Sequence, residues 1–135
     1  MEIAVKREEV FIPAWNGNRD VGENEQIRVH HRFLTPSERK KYIYTKPIII
    51  DTQTGTIDSR VEYVTDEQGM VRALVDRIEN LKLRYGDEVV EVKTGEELYA
   101  QPGVPQLLMA EIEGYIINAS PEVDASFLFE RSAST

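Results

Sequence analysis

Residues 94–123 read TGEELYAQPGVPQLLMAEIEGYIINASPEV. This stretch holds the longest apolar periodicity in the chain. Val104, Leu107, Leu108, Ile112, Tyr115, Ile116 and Ala119 recur at steps of three and four, which sets them along one stripe of an α-helix. Glu111, Glu113 and Asn118 fall outside the stripe and read as solvated. Pro105 is expected in the first turn, where its missing N–H costs nothing. Ser120-Pro121 stops the helix, because the residue before a proline avoids helical geometry. Such a helix needs a surface to cover its stripe, and the rest of the chain must supply it.

Upstream, most apolar runs follow a period of two. Ile3 to Trp15 reads as one strand or two short ones, ended by Pro13, which cannot donate to a ladder. Trp15-Asn16-Gly17-Asn18 is a turn signal, and Trp15, the single tryptophan, reads as a core edge rather than a partner anchor. Gln26 to Leu34 reads as a strand with Ile27, Val29, His31 and Phe33 on one face. Lys46 to Val64 reads as a hairpin whose turn lies in Asp51–Thr56, and Leu81 to Lys93 as a second, turning at Tyr85–Glu88.

Three capping boxes punctuate these runs. Thr35-Pro36-Ser37-Glu38 opens a short helix carrying the basic cluster Arg39, Lys40 and Lys41. Thr65-Asp66-Glu67-Gln68 opens a helix expected to run to about Asn80, with Val71, Leu74, Val75 and Ile78 buried. Thr94-Gly95-Glu96-Glu97 opens another short helix, with Leu98 and Tyr99. Strands alternating with only short helices argue against a parallel doubly wound sheet. The expected class is α+β, a mostly antiparallel sheet with packed helices and a helical C-terminal part. Residues 1–125 are expected to form one domain and 126–135 a C-terminal tail.

Composition narrows the chemistry. The chain has 135 residues, 41% hydrophobic and 30% charged, and a net charge of −8. Length and hydrophobic content suffice for a core without staples. The acidic balance disfavours nucleic acid and anionic membranes, which need a basic surface. No apolar run is long enough to span a bilayer, and MEIAVKREEV lacks the apolar segment of a signal peptide. The absence of cysteine removes thiolate metal sites and cysteine nucleophiles. His30 and His31 are adjacent in a strand, so they point to opposite faces and cannot readily chelate one metal together. G-x-S-x-G, H-E-x-x-H, the P-loop and the dinucleotide fingerprint are all missing. No catalytic residue, metal or cofactor is expected.

Three segments carry a likeness to a known family: KREEVFIPAWNGNRD (6–20), VHHRFLTPSERKKYIY (29–44) and GEELYAQPGVPQLLMAEIEGYIINASPEVD (95–124). They resemble the tail assembly chaperones of long-tailed, siphovirus-like bacteriophages. In the element Arg32-Phe33-Leu34-Thr35-Pro36-Ser37-Glu38, Phe33 directly before Leu34 departs from the family's simplest form. The resemblance implies a small acidic protein of the host cytoplasm, without enzymatic activity. It would bind the tape-measure protein and the major tail-tube protein during tail morphogenesis, and then be absent from the finished particle. A structural virion subunit, of head–tail connector or tail-terminator type, is the second expectation, and a small enzyme the third. Self-association into a homo-oligomer is left open. Expected partner contacts are Leu98 and Tyr99 beside the long helix, and Phe127, Leu128 and Phe129 near the polar terminus, where an apolar trio has no later sequence to cover it.

Overall fold

The computed structural model describes the backbone of residues 1–51, 55 and 57–121, and the side chains of all of these except 49–51 and 57–59. The fold is α+β. In chain order come β1 (Glu8–Phe11), a short 3-10 segment (Trp15–Asp20), β2 (Arg28–Arg32), α1 (Pro36–Tyr42), β3 (Ile43–Asp51) and β4 (Ile57–Thr65). Then follow α2 (Glu67–Leu74), β5 (Val75–Glu79), β6 (Lys82–Tyr85), β7 (Glu88–Glu91), α3 (Gly95–Ala100) and α4 (Gln106–Asn118). Among the described residues every strand pairing is antiparallel. The strands form three small sheets, β1-β2-β5, β3-β4 and β6-β7, rather than one.

The expected helical stripe proves to be the centre of the core. Leu108, Ile112 and Ile116 of α4 are buried together with Met70, Val71 and Leu74 of α2, Leu98 of α3, and Phe11, Val29, Val75 and Ile78 of the sheet. Leu107 does not share this face: it is 76% exposed. Pro105 stands one position before the helix, as its cap, rather than in its first turn. Trp15 packs half-buried against the core edge, as its sequence context suggests. Within the first fifteen residues there is one strand, and Ile3 and Val5 lie exposed before it.

The helix expected from Thr65 to Asn80 is instead a helix followed by a strand. Asp66, not Thr65, caps α2, its carboxylate accepting the Gly69 N–H at 3.0 Å. Chain direction changes at Val75, and 75–79 pairs with β2. The misreading has a definite cause. The register steps from His30↔Arg77 to His31↔Val75, so Asp76 is an extra residue on β5, a bulge. A bulge returns Val75 and Ile78 to the same face although they are three apart, which is helical spacing written in a strand. Both are buried, and the intervening Asp76 and Arg77 are exposed.

Local chemistry fixes the other elements. At α1 the full capping box forms: the Glu38 N–H bonds Thr35 Oγ1, and the Thr35 N–H bonds the Glu38 carboxylate. At α3 only half of it forms, since the Glu97 carboxylate accepts the N–H of Lys93 rather than that of Thr94. Asn16 and Gly17 adopt positive φ of 50° and 72°, which asparagine and glycine tolerate at least cost. They turn the chain so that Asn18 points inward. Buried Asn18 donates to the carbonyls of Pro13 and Ile27 and accepts the Ile27 N–H at 2.7 Å. A residue that reads as part of a polar loop thereby stitches β1 to β2.

Candidate partner-binding surface

The long hairpin β3–β4 stands apart from the body. Nine residues per strand give an arm about 30 Å long. Beyond its own ladder, its main packing among the described residues is on α1, at its base. There the Asp66 N–H also bonds the Tyr42 carbonyl at 2.7 Å.

In an antiparallel pair, opposed residues share a face, and alternate pairs share the same face. Ile43–Thr65, Thr45–Tyr63 and Pro47–Val61 therefore line one face; Tyr44–Val64, Lys46–Glu62 and Ile48–Arg60 line the other. The first set carries no charge. At the base, Ile43 packs against the hydrophobic core. Further out the same face meets water: Tyr63 is 84% exposed and Val61 63%, with Thr45 and Pro47 exposed beside them. The core surface thus continues outward onto the arm, where nothing in this chain covers it among the described residues. Large apolar residues grouped in this way mark association surfaces.

The expected contacts are distributed differently. Leu98 is 1% exposed and belongs to the core, so it presents no surface to a partner. The apolar face of α3 is used internally, against α2 and β5. Tyr99 is half-buried on that helix. Its hydroxyl donates to Glu113 at 3.1 Å, and the Arg72 guanidinium lies 5.0 Å over its ring. Burial, with Glu113 beside it, pushes the Tyr99 hydroxyl pKa upward. Phe127, Leu128 and Phe129 lie outside the described residues.

Two acids read as solvated are tied into the structure instead. Glu111 accepts the backbone N–H groups of Ala14 and Trp15. Glu113 meets Tyr99 and the carboxyl of Glu67 at the start of α2; burial is the main cause that raises its pKa, and Glu67 adds to it. Neither spacing nor composition points to these contacts, because each joins segments far apart in the chain.

The polar clusters nearby are ion pairs. Arg32 grips Glu38 through two bonds of 2.8 Å, and this contact, with the Thr35 N–H, holds the Glu38 carboxyl down at about 2. His30 bonds Glu79 at 3.0 Å on the solvent face of the sheet and lowers that carboxyl's pKa. His31 is buried on the opposite face, edge-on to Phe33 and Tyr115, so the two histidines diverge as strand geometry requires. Among the described residues no group of three or more histidines and acids could hold a metal ion, and no helix is long and apolar enough to cross a membrane.

Compared with family models, with curated proteins and with solved structures, the chain matches none. The three segments that carry the chaperone resemblance nevertheless meet in the fold. β1 of the first pairs with β2 of the second. Tyr115 of the third stacks on Phe11 of the first, centroids 4.0 Å apart, and meets Glu9 through its hydroxyl. These residues build the framework, and most of the arm lies outside them.

Proposed function

We propose that this chain is a non-enzymatic assembly protein, a tail assembly chaperone acting in the host cytoplasm on the tape-measure protein and tail-tube subunits of a long-tailed phage. The observation that carries the association part of this reading is the arm, whose uncharged face extends the core surface into solvent at Val61 and Tyr63. The resemblance of the three framework segments supplies the partners. A tape-measure helix exposes apolar stripes before assembly, and a soluble apolar partner would cover them. The net charge of −8 keeps such a complex dissolved.

The test is co-expression with the tape-measure protein encoded beside it. Soluble tape-measure protein recovered together with this chain supports the reading, and an unchanged insoluble fraction rejects it.

The arm also favours a second reading. A protruding hairpin with an apolar face suits a subunit that packs on its neighbours in a virion ring of connector or terminator type. Mass spectrometry of purified particles separates the two, since a chaperone would be missing and a ring subunit present in stoichiometric amount.

A further inference from the structure

We propose that the uncharged face of the β3–β4 arm is the seat of a second copy of this chain, which lays the same face of its own arm against it, antiparallel about a two-fold axis. The inference concerns the purified chain alone and stands or falls apart from the chaperone reading.

Three observations carry it. First, a two-stranded hairpin is marginally stable by itself in water and gains stability from a packed face. The arm has that support only at its base, through α1 and Ile43. A second arm, stacked at the usual sheet spacing of about 10 Å, would extend the core along the exposed part.

Second, the face is selective in charge. Three successive cross-strand pairs lack any ionisable group in a chain that is 30% charged. Charged partner surfaces lose solvation against such a face without compensation. An identical face brings no charge, while Lys46 and Glu62 stay on the solvent side of each arm.

Third, the arm is polarised along its length. Its base carries Arg39, Lys40, Lys41 and Lys46 against the single carboxylate of Glu38 in residues 36–47, while Asp51 and Asp58 occupy the outer register positions. Antiparallel stacking sets the basic base of one copy over the acidic outer end of the other. Parallel stacking would set like charges together. The choice of orientation thus follows from the charge order.

The footprint limits the strength. Two strands about 30 Å long and together about 10 Å wide offer on the order of 300 Å² per copy, below the roughly 800 Å² per partner of a stable interface. The dimer is therefore weak and concentration-dependent.

Sedimentation velocity over a wide concentration range tests this, on the purified chain and on Tyr63→Lys and Val61→Lys. The dimer fraction should rise with concentration, and each substitution should weaken self-association about tenfold or more. Because the chain has no cysteine, Thr45→Cys and Lys46→Cys each give a single thiol, one on either face. A short bismaleimide should join copies through Thr45→Cys and not through Lys46→Cys. A monomer at every concentration, a dimer indifferent to both lysine substitutions, or equal crosslinking from the two faces would overturn the proposal.

Discussion

The carboxylate of Glu111 on the long helix accepts the backbone N–H of Trp15, 96 residues earlier, at 3.0 Å, and that of Ala14 at 2.6 Å. It thereby satisfies two donors at the start of the 3-10 segment and holds that turn against α4. Glu111→Ala leaves both N–H groups unmatched and should cost roughly 1–3 kcal/mol. Glu111→Gln keeps one acceptor oxygen and should lose about half as much. Thermal unfolding of the two variants beside the parent checks the order.

The stripe of the long helix gives a second contrast. Leu108 and Ile112 are fully buried, whereas Leu107 is 76% exposed. Leu108→Ala or Ile112→Ala should destabilise by about 2–5 kcal/mol through lost transfer energy and a residual cavity. Leu107→Ala should stay within about 0.5 kcal/mol. Equal effects at Leu107 and Leu108 in denaturant unfolding would place the core on the wrong side of the helix.

Much of this core is legible from the chain alone, because α4 keeps its 3.6 period and α1 its full capping box. The split of α2 and β5 is not, because a β-bulge gives Val75 and Ile78 a helical spacing. The division into three small sheets escapes for another reason: local periodicity specifies strands but not which strands pair. Leu98 illustrates the limit for the candidate contacts. An apolar residue on a short helix has the same signature whether it meets its own core or a partner. The arm was visible as a hairpin, yet its separation from the body depends on tertiary packing.

Gly95 marks a close approach between helices. A Cβ there would lie 2.5 Å from the Val71 carbonyl oxygen and 3.2 Å from Arg72 Cα. Alanine is intrinsically the better helix former by about 1 kcal/mol. Here the neighbour is backbone, so α3 must move away from α2. Gly95→Ala should therefore destabilise by roughly 1–3 kcal/mol, the usual cost of overpacking. An unchanged or higher melting temperature would contradict the packing of α3 on α2.

Glu113 and Glu67 give a pH-dependent term of definite sign. Burial raises the Glu113 pKa, and the neighbouring carboxyl of Glu67 adds to the shift. A folded pKa above the unfolded one contributes stability in acid, and that contribution is lost as pH rises through the folded value. At neutral pH both carboxylates are charged and repel. Glu113→Gln removes the repulsion and keeps an acceptor for the Tyr99 hydroxyl. It should raise stability at pH 7 by up to about 1 kcal/mol, after allowance for solvent screening, and the gain should vanish near pH 4. Glu38 works in the opposite direction. Its pKa, held at about 2 by Arg32, adds stability above the ordinary carboxylate range that is lost as pH falls toward 2. Melting curves of the parent and Glu113→Gln across this range separate the two contributions.

The last prediction concerns which surface meets the tape-measure protein. If the arm is occupied by a second copy, the contact falls to the apolar trio Phe127, Leu128 and Phe129, which follows a framework that already uses Leu98 for its own core. Truncation after Asp124 should then lower the soluble tape-measure protein recovered on co-expression, while Tyr63→Lys should leave it unchanged. Apolar contacts are little screened by ions, so moderate salt should weaken the complex only slightly despite the net charge of −8. Full recovery with the truncated chain would exclude the trio. Loss of recovery with Tyr63→Lys alone would move the contact to the arm. Each variant's melting curve, measured beside the recovery, separates a lost contact from a lost fold.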